Sequence, residues 1–426
     1  MKSKPTLPEL SLAPSTGRLW VAYSGGLDST VLLHRLAASK AAGLRAVHIH
    51  HGLQEVADDW VKHCRKFCRA LAVPLKVLRI QVPPRHADGP EAAARAARYA
   101  ALRSLLRKGD VLATAHHQDD QAETVLLRLL RGAGIAGLAG IGACAEFSPG
   151  LLWRPLLKLP RASLRVYAEQ QGLSWIEDPH NSSPRYARSY LRKEIMPRLL
   201  AHWPQAQLSL ARTARLAAEA AQLLDDLARQ DLAGIGGEGG SLSVAALLAL
   251  PPPRRNNLLR QWLARKEWAA PAAETWSRLE AEVLRAKPDA QPLLHCGDYE
   301  FRRYRDRLFL MAPLPPEPGA AERSWPGGTL ELPPGCGRLS SKLRFPAPLQ
   351  VRFARGGEKL KPACGGPTRT LRNLFQERGV PPWVRSRTPL VYRGGELLAV
   401  GDYWLSDAGE ALGLKPAWQN KLPGAH

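Results

Sequence analysis

Two short stretches carry residue types at spacings that chemistry needs. SGGLDST, residues 24–30, follows an apolar run and opens a helical pattern. Paired glycines allow a tight turn and close backbone approach to a ligand, and a helix start aims unsatisfied N–H groups at it. Ser24, Gly25, Gly26, Leu27, Asp28, Ser29 and Thr30 therefore read as a phosphate cradle. The stretch lacks the lysine of the P-loop and the spaced glycines of the dinucleotide fingerprint, so a different nucleotide loop is implied. Asp28 is its informative member, because a carboxylate beside phosphate oxygens is repelled unless a cation lies between them. That cation is either Mg²⁺ bridging phosphates or an ammonium group on a substrate. The plainer alternative is that Asp28 only caps the helix.

AHHQDDQAET, residues 115–124, sits where a later apolar run gives way to a helix. With a helix from about residue 116, His116, Asp120 and Glu123 fall at i, i+4 and i+7 and share one face. A solvated, dipole-compensating helix start is the alternative, and it leaves the adjacent histidines unexplained. HIHHGL, residues 48–53, ends another run, with His48 and His50 on one face and His51 on the other. No Cys or carboxylate stands beside them at zinc-ligand spacing, so nucleotide contact is the expectation and strand-end packing the alternative.

The elements that must position these residues alternate along residues 18–178. LWVAY (19–23), LRAVHIH (44–50), LKVLRI (75–80) and DVLATA (110–115) have the apolar content of buried strands. Helical patterns over 29–42, 55–72, 91–107 and 119–131 separate them. This is the βαβ order of a parallel sheet covered on both faces, and ligands of such sheets sit beyond the carboxyl ends of the strands. Both motifs then face one crevice. After residue 203 the composition turns to Ala, Leu and Arg at helical spacing, and Pro-rich APLPPEPG at 312–319 marks a linker region. The expected organisation is a catalytic domain over 1–205, a mainly helical substrate-binding domain over 206–313, a Pro/Gly-rich linker over 314–341 and a small α+β domain over 342–426.

A chain of 426 residues has room for two or three such domains. Lys plus Arg number 60 against 38 for Asp plus Glu, a net charge of +22 that points to a polyanionic partner. The six cysteines are scattered and include no C-x-x-C pair, so they read as reduced thiols rather than disulfides or metal ligands. No run approaches the roughly 20 apolar residues of a membrane span. The first residues carry prolines and Glu9 where a signal peptide would be apolar. A cytoplasmic protein without a membrane partner is expected, and a homodimer is compatible with the sequence.

SGGLDST, HIHHGL, EAAARAARY (91–99) and AHHQDDQAET together resemble the N-type ATP pyrophosphatase, or PP-loop, superfamily. The nearly full-length match through RGAGIAGLAGI (131–141), WRPLL (153–157), WIEDPHNSS (175–183), ARSYLRKEIMPRL (187–199) and LRNLFQERGVPPWVRSRTPLVY (371–392) resembles the bacterial tRNA(Ile)-lysidine synthase family. The resemblance implies an adenine nucleotide alpha hydrolase-like catalytic domain and a ligase that uses ATP and Mg²⁺. Such a ligase joins free lysine to C2 of the wobble cytidine in a CAU-anticodon tRNA(Ile). Cytidine O2 attacks the α-phosphorus, pyrophosphate leaves, and the lysine ε-amine displaces AMP, so that lysidine reads AUA instead of AUG. Residues 24–30 and His50 would bind ATP. Asp28, Asp120 and Glu123 would hold the lysine ammonium, with Asp28 and Asp120 also placed for Mg²⁺. Carboxylates favour the charged amine whereas the nucleophile must be neutral, so His116 is the proposed proton acceptor. Arg188 and Arg192 match a basic R-x-x-x-R element that neutralises phosphate, with Ser189 where the family usually has Asn. Arg95 and Arg98 rank below them.

Residues 342–393 hold twelve Lys or Arg against Glu358 and Glu377. Arg369, Arg372, Arg378, Arg385 and Arg387, interleaved with Phe375, Trp383 and Tyr392, are the expected tRNA contacts, with the aromatics either stacking on bases or packing inside. Two rivals remain: tRNA thiolation, which needs positioned cysteines that the motifs lack, and a non-catalytic tRNA-binding protein, which predicts eroded loops.

Overall fold

The computed structural model describes residues 7–10, 14, 16–50, 57–81, 90–177, 187–287, 290–319, 322–363 and 367–424. The chain forms two compact units, Met1–Leu223 and Leu224–His426.

In the first unit, β1 (Leu19–Ala22), α1 (Leu27–Ala38), β2 (Leu44–His50), α2 (Ala57–Ala70), β3 (Leu75–Arg79), α3 (Pro90–Leu105), β4 (Val111–Ala113) and α4 (Gln118–Leu129) alternate as the apolar runs dictate. A short α5 (Ile135–Leu138) leads into β5 (Cys144–Phe147), β6 (Gly150–Trp153) and α6 (Arg161–Gln170). The strands form one sheet in the order β3-β2-β1-β4-β6-β5. All neighbours are parallel except the edge pair β5–β6. Strand alternation sends Leu19, Val21 and Tyr23 to one face, against Val31 and Leu32 of α1, Cys64 and Cys68 of α2 and Leu164 of α6. Trp20, Val47 and Leu112 go to the other face, against Leu102 of α3, Leu106, and Phe147 and Leu152 of the last two strands. Full burial of each such side chain contributes about 1.5–3 kcal/mol, and both faces must be apolar for a parallel sheet to hold.

One local feature differs from expectation. The acidic helix begins at Gln118 rather than 116, because His117 is its N-cap: the Nδ1 of His117 accepts from Asp120 N–H while Asp120 Oδ2 accepts from His117 N–H. Farther on, α7 (Ala187–Tyr190) and α8 (Met196–His202) are joined by a π-helical turn, Leu191–Ile195. Pro197 offers no N–H to continue the α-helical ladder, and Met196 N–H instead reaches back to Leu191 O. The long α9 (Ala206–Ile235) follows.

The second unit is richer in strand than the helical composition predicted. Helices α10 (Val244–Ala249), α11 (Pro252–Ala264) and α12 (Ala273–Arg278) pack with an antiparallel sheet. Its strands are β7 (Leu242–Ser243), β8 (Leu293–His295), β9 (Glu300–Tyr304) and β10 (Arg307–Met311), in the order β7-β10-β9-β8. A second sheet begins with β11 (Arg323–Glu331), inside the stretch expected as linker, and β12 (Arg338–Arg352). After the small pair β13 (Lys359–Leu360) and β14 (Arg369–Thr370) it is completed by β15 (Leu390–Arg393), β16 (Glu396–Val400), β17 (Trp404–Leu405) and β18 (Ala417–Gln419). Its core contains Trp325, Phe375, Trp383, Tyr392 and Trp418, so the aromatics of the basic segment pack inside. Among the described residues, no helix is long and apolar enough to cross a membrane.

Candidate active site

The carboxyl ends of β1, β2, β4 and β6 lie on one edge of the sheet, and the motif residues follow them. Gly25, at φ +88°, turns the chain out of β1. Ser24 Oγ and Ser29 Oγ stand 3.0 Å apart, Ser29 Oγ donates to Gly26 O at 2.9 Å, and Thr30 Oγ1 donates to Gly25 O at 3.3 Å. These bonds fix the loop while Gly26, the N-cap of α1, supplies no side-chain cap. The first amides of α1 thus stay open, with the positive end of the helix dipole behind them. Ile176 N–H donates to Gly25 O at 2.9 Å and clamps the turn from outside.

The histidines of β2 divide. His48 is buried under the loop, with Nδ1 2.9 Å from Tyr23 O and 3.5 Å from Cys64 Sγ, so it packs rather than faces the crevice. His50 lies at the strand end with Nε2 3.4 Å from Asp58 Oδ1 but no hydrogen-bond partner among the described residues. His51 lies outside the described residues, as does most of the WIEDPHNSS segment.

His117, passed over in favour of His116, is the residue that joins the two motifs. It is 2% exposed, and its Nε2 stands 3.8 Å from Asp28 Oδ2 and 3.4 Å from Asp120 Oδ2. His116 precedes the helix, so it does not share a helical face with Asp120 and Glu123. Its Nδ1 is 2.9 Å from Thr114 Oγ1. Burial, followed by the charges of Arg154, Arg188 and Arg95, outweighs the pull of Asp120 and lowers the His116 pKa to about 4. His116 is therefore neutral at physiological pH.

The carboxylates are already matched by cations of the chain itself. Arg192 forks onto Glu123, with Nε 2.6 Å from Oε1 and Nη2 2.9 Å from Oε2, and its Nη2 also reaches Asp120 Oδ1 at 3.1 Å. Arg188 Nε donates to Glu123 Oε2 at 3.0 Å, while its Nη2 bonds Asp120 O and Thr124 Oγ1. Burial works against the charges of Arg192 and Asp120. The Glu123 bonds more than offset it for Arg192, whose pKa is raised, and the neighbouring histidines and Arg188 do so for Asp120, whose pKa is lowered. Sequence reasoning missed Arg161, whose Nε donates to Asp28 Oδ1 at 3.2 Å from the first turn of α6. The cation that Asp28 demanded is thus in part a guanidinium.

For a divalent ion, the donor set is sparse. Among the described residues no group of three His, Cys, Asp or Glu side chains is arranged to hold a metal ion by itself. The two oxygens of Asp120 accept from two separate donors, Arg192 Nη2 and His117 N–H. Asp28 keeps free lone pairs beside the single Arg161 Nε. That fits Mg²⁺, which takes one or two carboxylates and completes its shell with phosphate and water.

In the C-terminal segment the five predicted arginines separate by role. Arg372 and Arg378 are exposed, the latter over the Tyr403 ring at 5.0 Å, and Arg369 pairs with Glu377 at 2.7 Å. Arg385 donates to Val380 O and Tyr304 Oη. Arg387 is 4% exposed and its guanidinium ties Trp383 O to Pro315 O, so it holds the domain together instead of meeting a ligand. Cys64 and Cys68 are fully buried, which pushes their thiols up to about 12 and about 11 and leaves them inert.

A βαβ sheet with an open glycine turn after its first strand and an acid–arginine cluster after its fourth defines a PP-loop protein. The PP-loop domain model matches residues 3–199, the TilS substrate binding domain model residues 242–309 and the TilS substrate C-terminal domain model residues 349–421. The chain is 43% identical over 393 residues to "tRNA(Ile)-lysidine synthase" from Xanthomonas campestris pv. campestris strain 8004, covering 91% of this chain and 90% of that protein. It is 45% identical over 404 residues to the protein of that name from Alkalilimnicola ehrlichii, covering 92% and 90%. Among solved structures, U34-tRNA thiolase NcsA from Methanococcus maripaludis, with its 4Fe-4S cluster, matches at 21% identity and a TM-score of 0.40 over 49% of this chain and 74% of that one. The chain belongs to the tRNA(Ile)-lysidine synthase family.

Proposed function

We propose that this chain joins free lysine to C2 of the wobble cytidine in a CAU-anticodon tRNA(Ile), using ATP, and so forms lysidine. The observation that carries the reading is the meeting of Asp28 and Asp120 across His117, within 3.8 and 3.4 Å. The phosphate cradle and the acid–arginine cluster are thereby brought side by side. In the first step cytidine O2 attacks the α-phosphorus of ATP. The open amides of α1 and the hydroxyl of Ser24 take up charge as pyrophosphate leaves, while Ser29, whose hydroxyl donates to Gly26 O, holds the turn in shape. Mg²⁺ held at Asp28 would neutralise phosphate oxygens. Asp120 and Glu123 act mainly through Arg188 and Arg192, which they orient toward the adenylated intermediate.

In the second step the lysine amine displaces AMP. Asp28, half-buried with lone pairs to spare, is the acid best placed to draw in the ammonium. His116 can accept a proton at Nε2 when its Nδ1–H donates to Thr114 Oγ1. A bound phosphate next to it would raise its low basicity toward that task. In the same reading residues 1–205 carry the chemistry, 206–313 and 342–426 hold the tRNA, and the reaction takes place in the cytoplasm. Thiolation loses support from the two buried, unreactive thiols near the loop.

The test is incubation with ATP, labelled lysine and either CAU-anticodon isoleucine tRNA or elongator methionine tRNA. Label in the first RNA alone is expected; label in neither sinks the reading.

A further inference from the structure

We propose that Arg154, with Arg95 beside it, forms a phosphate-binding subsite at the β6 end of the crevice, occupied by a phosphodiester of the RNA next to the reacting nucleotide. The occupant, though not the subsite, rests on the reading above that RNA is the acceptor.

Arg154 is the first residue after β6. Its N–H donates to Ala143 O at 2.8 Å and its Nη1 to Gly142 O at 2.6 Å, which fixes the guanidinium plane. Its Nε is buried and has no partner among the described residues. Leaving such a donor unmade costs about 1–3 kcal/mol, and native structures tolerate this where a ligand or ion completes the bond. Arg161, Arg188 and Arg192 each rest on an acid, whereas Arg154 and Arg95 pair with no carboxylate among the described residues. Arg95 instead lies over the Tyr99 ring at 5.1 Å. Burial first, with the charge of Arg95 added and Tyr99 opposing, holds the Arg154 pKa below its ordinary value. Two such guanidiniums call for an anion with at least two oxygens, and the fork shape of arginine suits phosphate.

Position separates this subsite from the ATP loop. β1 carries the loop, β4 is its neighbour, and β6 is the next strand. Two strand spacings put Arg154 roughly 10 Å from the loop along the sheet edge, too far to grip the same phosphate. His116, which follows β4, lies between the two positions. A nucleotide held at the loop and a phosphodiester held at Arg154 would flank the place where the cytidine ring must enter.

The experiment uses the full chain with Arg154→Met and Arg154→Lys. Affinity for a CAU-anticodon tRNA transcript is measured across a KCl series, and ATP affinity separately. Arg154→Met is expected to lower the slope of log affinity against log salt by about 1 and to leave ATP affinity within twofold. Arg154→Lys should recover the slope, because charge returns, but only part of the affinity, because the fork does not. It also carries the comparison if the Met variant fails to fold. A fall in ATP affinity with an unchanged RNA slope would overturn the RNA assignment and give the phosphate to the nucleotide. Unchanged affinity for both would overturn the subsite. A wild-type chain that shows no salt-dependent RNA binding would instead sink the earlier reading, leaving Arg154's phosphate chemistry to be read from ATP alone.

Discussion

Arg192 closes a two-point fork on Glu123, with contacts of 2.6 and 2.9 Å, around a carboxylate that is only 2% exposed. Arg188 takes the remaining space on the same carboxylate. One buried acid therefore sets the orientation of two arginines that arrive from a different part of the chain, 65 and 69 positions away.

Replacing Glu123 with Gln should disturb both arginines at once. The cost to folding is expected at about 1–3 kcal/mol. It falls short of the 3–5 of a fully buried pair because Arg192 remains 41% exposed. Urea unfolding at constant m value reads this directly, and an unmoved midpoint would contradict it.

Asp28→Asn keeps the shape of the loop and removes its charge. ATP binding through the α1 amides should persist, while pyrophosphate release in the presence of tRNA slows by about 10²-fold. A normal rate of release would show that Asp28 takes no part in the reaction.

His116 links stability to pH. Its folded pKa, about 4, lies below the ordinary 6.5 of a free imidazole, so the unfolded chain binds more protons between those values. The neutral histidine thus costs nothing above pH 6.5, and its penalty grows as pH falls toward 4. His116→Gln should flatten that part of the stability–pH curve. Parallel curves for the two proteins would refute the assignment, as would an acid limb of kcat/KM at 6.5 that His116→Gln abolishes.

Arg372 and Arg387 should behave oppositely. Exposed Arg372, changed to Gln, is expected to cut the salt slope of tRNA binding by about 1 at unchanged melting temperature. Arg387→Met should leave the slope alone and destabilise the fold by about 1–3 kcal/mol, because Trp383 O and Pro315 O lose their shared donor. Equal effects of the two changes on the slope would undo the distinction.

The sheet was legible because LWVAY is apolar on both faces and LRAVHIH places Ala46, Val47 and Ile49 on both, as a covered parallel strand must. β5 and β6 were not, since four-residue strands around a Pro-Gly turn carry too little pattern. The acidic helix was found two residues early because histidine is outside the usual N-cap set of Ser, Thr, Asp and Asn. Arg161 could not be placed, since nothing local ties it to an aspartate 133 positions away. The charge of the C-terminal segment was plain from composition, yet Arg387 was drawn inward by two backbone carbonyls that no local pattern advertises.

Gly25 sits in a seat with no spare volume. A methyl group there would come within 2.6 Å of Ile176 Cδ1 and 3.1 Å of Cys64 Sγ. The nucleotide turn is therefore moulded from above and below by side chains remote in sequence. A peptide of the first thirty residues would own every letter of the motif yet lack its mould, so this loop becomes a receptor only when residue 176 has docked.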